Sequence, residues 1–274
     1  MKINRDKRFL NIDGWFSSEA ASLFVLANRI QKRRGIKGDI FEIGCHHGRS
    51  AFLLGQMVRP SETLGVCDLF GEQQENVSGS GKGNRQIFLR NMKPLTKNGL
   101  DLSVFQGVSQ KLTKEEIGER YRFFHVDGGH NIDEALADLR LAAKSTLDEG
   151  VIAVDDPFRA EWPGVTVALI EFLDKSEFRP VVVGFNKILL ARNKHANMYI
   201  SKIINKEKRS EYGLDFPWRL KEMKFLNNTL YIFYLDSGKT NESFPSFMRK
   251  YYRTRKNKMG YVKKLILRIL ISIS

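Results

Sequence analysis

Two short acidic motifs, Asp127-Gly-Gly-His130 and Asp155-Asp156, contain the residues best suited to chemistry in this sequence. Each follows a run of strand-forming residues, YRFFHV and GVIAV, so a parallel sheet would present both at the carboxyl ends of neighbouring strands. Three carboxylates converging there would repel one another and raise one another's pKa unless a cation neutralised them. Hard oxygen ligands with open positions suit magnesium or manganese, which makes Asp127, Asp155 and Asp156 candidate metal ligands. His130 follows the first of them by three residues. Its intrinsic pKa near neutrality suits a general base. The alternative reading leaves Asp155 and Asp156 as strand terminators bonded to loop amides, and His130 as a surface histidine beside a helix.

A second group of residues could hold a ligand. The run DIFEIGC leads through Gly44-Cys-His-His-Gly48-Arg-Ser50 into the apolar stretch AFLLGQM, a glycine-containing turn between strand and helix. A dinucleotide requires G-x-G-x-x-G so that its pyrophosphate can approach the helix N-terminus, and here His46 takes the second glycine position. A dinucleotide is therefore disfavoured. The methionine tail of S-adenosylmethionine carries no phosphate and tolerates bulkier turn residues; a tight turn with no ligand is the alternative. Asp68 closes the next strand, where a carboxylate can accept the two hydroxyls of a ribose or cap a helix. Gly107-Val-Ser109-Gln110 closes the third and puts polar groups where an adenine edge could lie. The segment 71–86, GEQQENVSGSGKGNRQ, lacks the Ser or Thr of a phosphate-binding loop after its GKG, which argues against an NTPase. It reads either as a plain connection or as a lid.

The elements that must position these residues follow from the patterning. DIFEIGC (39–45), TLGVCDLF (63–70), LSVFQGV (102–108), YRFFHVDG (121–128) and GVIAVDD (150–156) are five candidate parallel strands separated by helical stretches. Asn131 can cap a helix whose Ile132, Leu136, Leu139 and Ala143 recur at helical spacing. VTVALIEFL (165–173) reads as a further helix, and PVVVGF with KILLA as a closing pair of strands. The expected fold is α/β, a Rossmann-like doubly wound and mostly parallel sheet.

In combination the motifs resemble the metal-dependent O-methyltransferases of the class I fold: E-I-G-x-x-x-G-x-S, an acidic end to the second strand, G-V-S-Q, an aspartate with a base three residues on, and V-D-D. The resemblance is nearer to the sugar O-methyltransferases of macrolide and aminocoumarin biosynthesis than to the catechol-type enzymes, whose lysine base is replaced here by His130. It covers roughly residues 12–192, with GWFSSEAASLFVLA resembling the short opening helix of bacterial relatives. It implies S-adenosylmethionine as cofactor, with Glu42, Gly44, Gly48, Ser50, Asp68, Ser109, Gln110 and Asp127 around it. It further implies magnesium or manganese on Asp127, Asp155 and Asp156. The implied acceptor is a hydroxyl of a sugar or glycan-type molecule, for which a chelating vicinal diol is apt, with a catechol or phenol as the alternative. A non-catalytic adenosyl-binding or RNA-binding module is the reading from another class.

Charge and composition bound the rest. The chain has 274 residues, 42% of them hydrophobic, enough for one domain with appended ends. Cys45 and Cys67 lie in apolar runs and suggest packing rather than a disulfide framework. No signal-like or membrane-spanning run is present, so a cytoplasmic protein is expected. The net charge of +14 divides unevenly: +6 on residues 1–38, −4 on 39–192 and +12 on 193–274. The basic excess belongs to the flanks, no RNA-binding motif accompanies it, and nucleic acid is not an expected partner. The sequence divides into a helical cap (1–38), a core (39–192), an extension (193–246) with Trp218 and Phe225 as candidate covers for the site, and a basic amphipathic tail (247–274). YVKKLILRILISIS in that tail suits an anionic membrane surface, a partner subunit of a homo-oligomer, or the protein's own core.

Overall fold

A computed structural model describes residues 7–77, 79–205 and 218–235. After a 3-10 turn at Lys7–Asn11 comes α1 (Ser18–Arg33), whose first turn is capped by the Ser17 side chain accepting from the Ala20 amide. β1 (Asp39–Ile43), α2 (Arg49–Gly55), β2 (Thr63–Asp68), α3 (Arg85–Thr96) and β3 (Asp101–Gln106) follow. After the single turn α4 (Lys114–Ile117) come β4 (Tyr121–Val126), α5 (Ile132–Ser145), β5 (Thr146–Asp155) and α6 (Pro163–Lys175). β6 (Phe178–Gly184), β7 (Lys187–Arg192), α7 (Asn193–Ile203), β8 (Trp218–Phe225) and β9 (Asn228–Leu235) complete the described elements.

The sheet runs β3-β2-β1-β4-β5-β7-β6-β9-β8, with β3 to β5 mutually parallel and β7 antiparallel to both β5 and β6. This is the doubly wound architecture expected, an α/β fold with one antiparallel strand inserted. Strands β1 and β4 are buried along their whole length, as parallel strands covered on both faces must be, and their runs DIFEI and YRFFHV supply the apolar surface. The order reverses between β1 and β4, which opens a crevice at their carboxyl ends. The observed strands stop one or two residues before the expected runs do. β1 ends at Ile43 because Gly44 turns to φ 80°.

The opening helix is wedded to the sheet. Phe24 of α1 lies 4.9 Å from the rings of both Phe123 and His125 on β4. Arg122, a charge inside a central strand, is tolerated because Glu62, Asn28, Gln31 and the Met57 carbonyl take up its donors. Residues 7–77, 79–205 and 220–234 belong to one compact unit. The basic tail at 247–274 lies outside the described residues, as does the side chain of Trp218. Phe225, the other candidate cover, packs on the core and meets Phe158 edge-on at 5.5 Å. Among the described residues no helix is long and apolar enough to cross a membrane.

Candidate functional site

At the carboxyl edge of β1, β2, β4 and β5 lies a cavity of about 430 Å³, within the range of small-molecule sites. The β1 turn forms its floor. Gly44 is required there, since a Cβ would overlap the Asp127 carbonyl oxygen. His46, in the left-handed region at φ 51°, gives its amide to Asp68 Oδ2 at 2.7 Å. Asp68 Oδ1 accepts from the Phe70 amide at 2.6 Å, so one carboxylate ties the β1 and β2 turns together. Burial raises its pKa, and these amide bonds oppose the rise.

Ser109 and Gln110 form the wall beyond β3. The Gln110 amide donates to Ser109 Oγ at 2.9 Å and to Asp138 Oδ1 at 3.2 Å. Asp138, on the buried face of α5, has its carboxyl pushed up to about 7 by burial, against the bonds from Ser109 and Gln110. Ser50, in the first turn of α2, also lines the cavity. Glu42 and Gly48, expected beside the cofactor, do not line it. Glu42 lies behind the wall with Oε1 2.7 Å from His125 Nδ1. Burial lifts its carboxyl to about 8 and depresses His125 well below the usual imidazole range, so the pair is held neutral. At Gly48, φ 93° and the close Phe88 ring demand glycine for packing at the start of α2.

The β4 and β5 ends face each other across the far side. His130 stacks on Trp162, with ring centroids 4.2 Å apart. Its Nδ1 is 2.9 Å from Ser80 Oγ, and its Nε2 is 3.4 Å from Asp156 Oδ2. Asp156 sits at φ 53° and accepts from Asn186 Nδ2 and, at 3.4 Å, from Arg159. Burial would raise its pKa, but His130, Asn186, Arg159 and Lys187 together hold it below the ordinary value. Asp127 and Asp155 are hydrogen-bonded to each other, and both are raised by burial. Lys187 Nζ lies 2.5 Å from Asp155 Oδ1 and 3.6 Å from Asp127 Oδ2. The segment after β2 closes the mouth, with Glu75, Asn76, Ser80, Gly81 and Gly83 in the wall. Asn76 Nδ2 braces it from within, donating to the Ser80 carbonyl at 2.6 Å.

The aspartate trio was expected to converge on a divalent ion, and its arrangement does not fit one. Magnesium ligands at about 2.1 Å lie within roughly 4.2 Å of one another. Among the described residues, the one set of three ligand-bearing side chains gathered within 4.8 Å is Asp13, His46 and His47, at the rim of the cavity. The three do not gather within that distance: Asp127 and Asp155 are bonded to each other and share Lys187, while Asp156 is held by Arg159 and by Asn186, which also reaches Asp155. Sequence reasoning missed Lys187, Asn186, Ser80, Trp162 and Asp138. For Asp138 a signal existed, an acidic residue within the apolar stripe Ala135, Leu139, Ala142.

Residues 41–157 match a family model described as a methyltransferase domain. The structure is similar to that of the O-methyltransferase NovP, at 14% identity and a TM-score of 0.52, over 63% of this chain and 80% of that one. It is also similar to an O-methyltransferase from Bacillus cereus in complex with SAH, at 14% identity and a TM-score of 0.50, over 69% of this chain and 91% of that one. At these identities the likeness establishes the fold. No curated protein matches the sequence. The matched segment runs from within β1 to just past the end of β5, and so takes in the floor and both acidic ends of the cavity; over it the chain is similar to a methyltransferase domain.

Proposed function

We propose that the protein transfers a methyl group to a hydroxyl of a sugar-type acceptor, with His130 taking the proton. The observation that carries this reading is His130 in the cavity wall, held between an ionised carboxylate and a hydroxyl. Asp156, kept ionised, fixes Nε2 as the protonated nitrogen and would stabilise the imidazolium formed by proton uptake. Nδ1 is then the accepting nitrogen, and the Ser80 hydroxyl marks where an acceptor hydroxyl would approach it.

S-adenosylmethionine supplies a methyl group on an electrophilic sulfonium. The features that fit it are the Gly44 turn, the Asp68 carboxylate at the end of β2, and the polar Ser109-Gln110 wall. Gly83 lies against Asp68 Oδ1 with no side chain, which leaves that oxygen open to a ribose. A sugar is favoured over a catechol by the cavity lining, which includes the indoles of Trp15, beside His46, and Trp162, beside His130, together with Asn76, Arg159 and Asn186. Flat amphipathic rings among hydrogen-bonding groups suit a ring that is apolar on its face and hydroxylated at its edge. The test is methyl transfer from labelled S-adenosylmethionine to a panel of sugars and catechols. Labelled methyl ethers of sugars are expected; transfer to catechols alone would reverse the assignment of the acceptor.

A further inference from the structure

We infer that Lys187 is the built-in cation of this site, doing the charge-neutralising and positioning work that a divalent ion would do, so that methyl transfer needs no metal. This rests on the methyl-transfer reading for its consequence, but on geometry for its substance. Lys187 opens β7 and is the antiparallel register partner of Asp155. The ion pair at 2.5 Å is therefore a cross-strand pair fixed by sheet pairing, and no loop has to close to form it. The Lys187 side chain is 2% exposed, and its ammonium reaches Asp127 at 3.6 Å and rests over the Phe16 ring 5.4 Å from its centroid. A buried ammonium must be paired, and its partners here are two of the three expected metal ligands.

The third ligand is taken up independently. The turn between β6 and β7 carries Phe185 and Asn186, both at positive φ, and places the Asn186 amide on Asp155 and Asp156 beside the lysine. One hairpin thus delivers both a charge and a donor to the trio. A divalent ion arriving there would meet an ammonium in contact with two of its ligands, and would have to displace it into an apolar wall. Lys187 also orients Asp127, whose carbonyl oxygen abuts Gly44, so the same charge steadies the floor of the cavity. On this account Lys187 is a positioning residue.

The experiment is a manganese titration of the full-length protein followed by electron paramagnetic resonance, with Lys187→Met and Asp155→Asn run alongside. The wild type should show no saturable site that depends on Asp155, at metal concentrations up to roughly a millimolar. Lys187→Met should gain one, lost again in the double variant with Asp155→Asn. Retained S-adenosylhomocysteine binding and cooperative melting establish that each variant is folded; Lys187→Gln substitutes if Met does not fold. An Asp155-dependent manganese site in the wild type, or no gain in a folded Lys187 variant, overturns the inference, whatever the acceptor. Where turnover is measurable, it should be unchanged in chelator for the wild type and fall at least 100-fold in Lys187→Met. Loss of wild-type turnover in chelator with recovery on adding metal would equally overturn it. A protein inactive on every acceptor, but with the expected titrations, would sink the methyl-transfer reading and leave this one standing.

Discussion

On the proposed reading His130 is the residue on which the chemistry turns, because a hydroxyl attacks a sulfonium slowly unless its proton has somewhere to go. His130→Ala should lose roughly 10²- to 10⁴-fold in turnover, the usual contribution of a positioned base. Its affinity for S-adenosylhomocysteine, measured by calorimetry, should hold, since the Asp68 turn is untouched; a full-rate variant would remove His130 from the reaction. Asp68→Ala should do the reverse and weaken that affinity by roughly 10- to 100-fold, the loss of charge-assisted hydrogen bonds. Glu42 makes a different kind of contribution. Its carboxyl titrates near 8 in the folded protein against about 4.5 in an unfolded chain. The unfolded state releases this proton first, so Glu42 favours folding below about pH 4.5 and that contribution is lost progressively as pH rises toward 8. Glu42→Gln keeps a neutral partner for His125 and should melt higher than the wild type at pH 8 while matching it near pH 4.5. Equal melting temperatures at both pH values would show that Glu42 is ionised inside the fold.

Among the elements, those that announce themselves by local pattern were legible before the structure. The five parallel strands, the Asn131-capped helix α5 and the β6–β7 pair all carry their period and their caps in contiguous residues. The turn glycine and Asp68 were readable because strand ends in a doubly wound sheet have a known destination. What could not be read was the consequence of one antiparallel strand. β7 returns beside β5 some thirty residues later in sequence, and only its register puts Lys187 opposite Asp155. Lysine at the head of a strand has no local signature of burial, and a pair of aspartates has none of an internal cation. The loop after β2 was likewise ambiguous, since its composition suits a free connection as well as a wall; the Asn76 brace that decides it is a single amide. The β6–β7 turn yields a direct test. Asn186→Gly preserves a residue tolerant of φ 64° and removes only the amide. The fold and cofactor affinity should be retained, while turnover falls by about an order of magnitude as Asp156 loses the Asn186 amide. An unchanged rate would show that Arg159 and His130 suffice to hold that carboxylate.

For the whole molecule, charge is segregated from chemistry. The cavity belongs to a unit ending at residue 234, within which the central segment is mildly acidic, whereas residues beyond 247 carry nine basic side chains and no acidic one. If the unit transfers methyl as proposed, the residues lining its cavity already supply the groups that reaction calls for, which leaves the tail free for attachment. We propose an anionic lipid surface as the tail's target, because the spacing of Lys264, Arg268 and Ser272 in YVKKLILRILISIS, with Leu, Ile and Val between, is that of a helix which would lie in such an interface. Each lysine or arginine near such a surface contributes about 1 kcal/mol, and the attraction decays within a Debye length of roughly 8 Å at physiological salt. Sedimentation with vesicles should therefore show binding that grows with the fraction of anionic lipid and falls with added salt. Deleting residues 247–274 should abolish that binding while leaving S-adenosylhomocysteine affinity as it was, because among the described residues every one lining the cavity lies before 187. If the shortened protein sediments as the full chain does, the basic tail serves a partner subunit or the protein's own core, and attachment to membranes must be sought on another face.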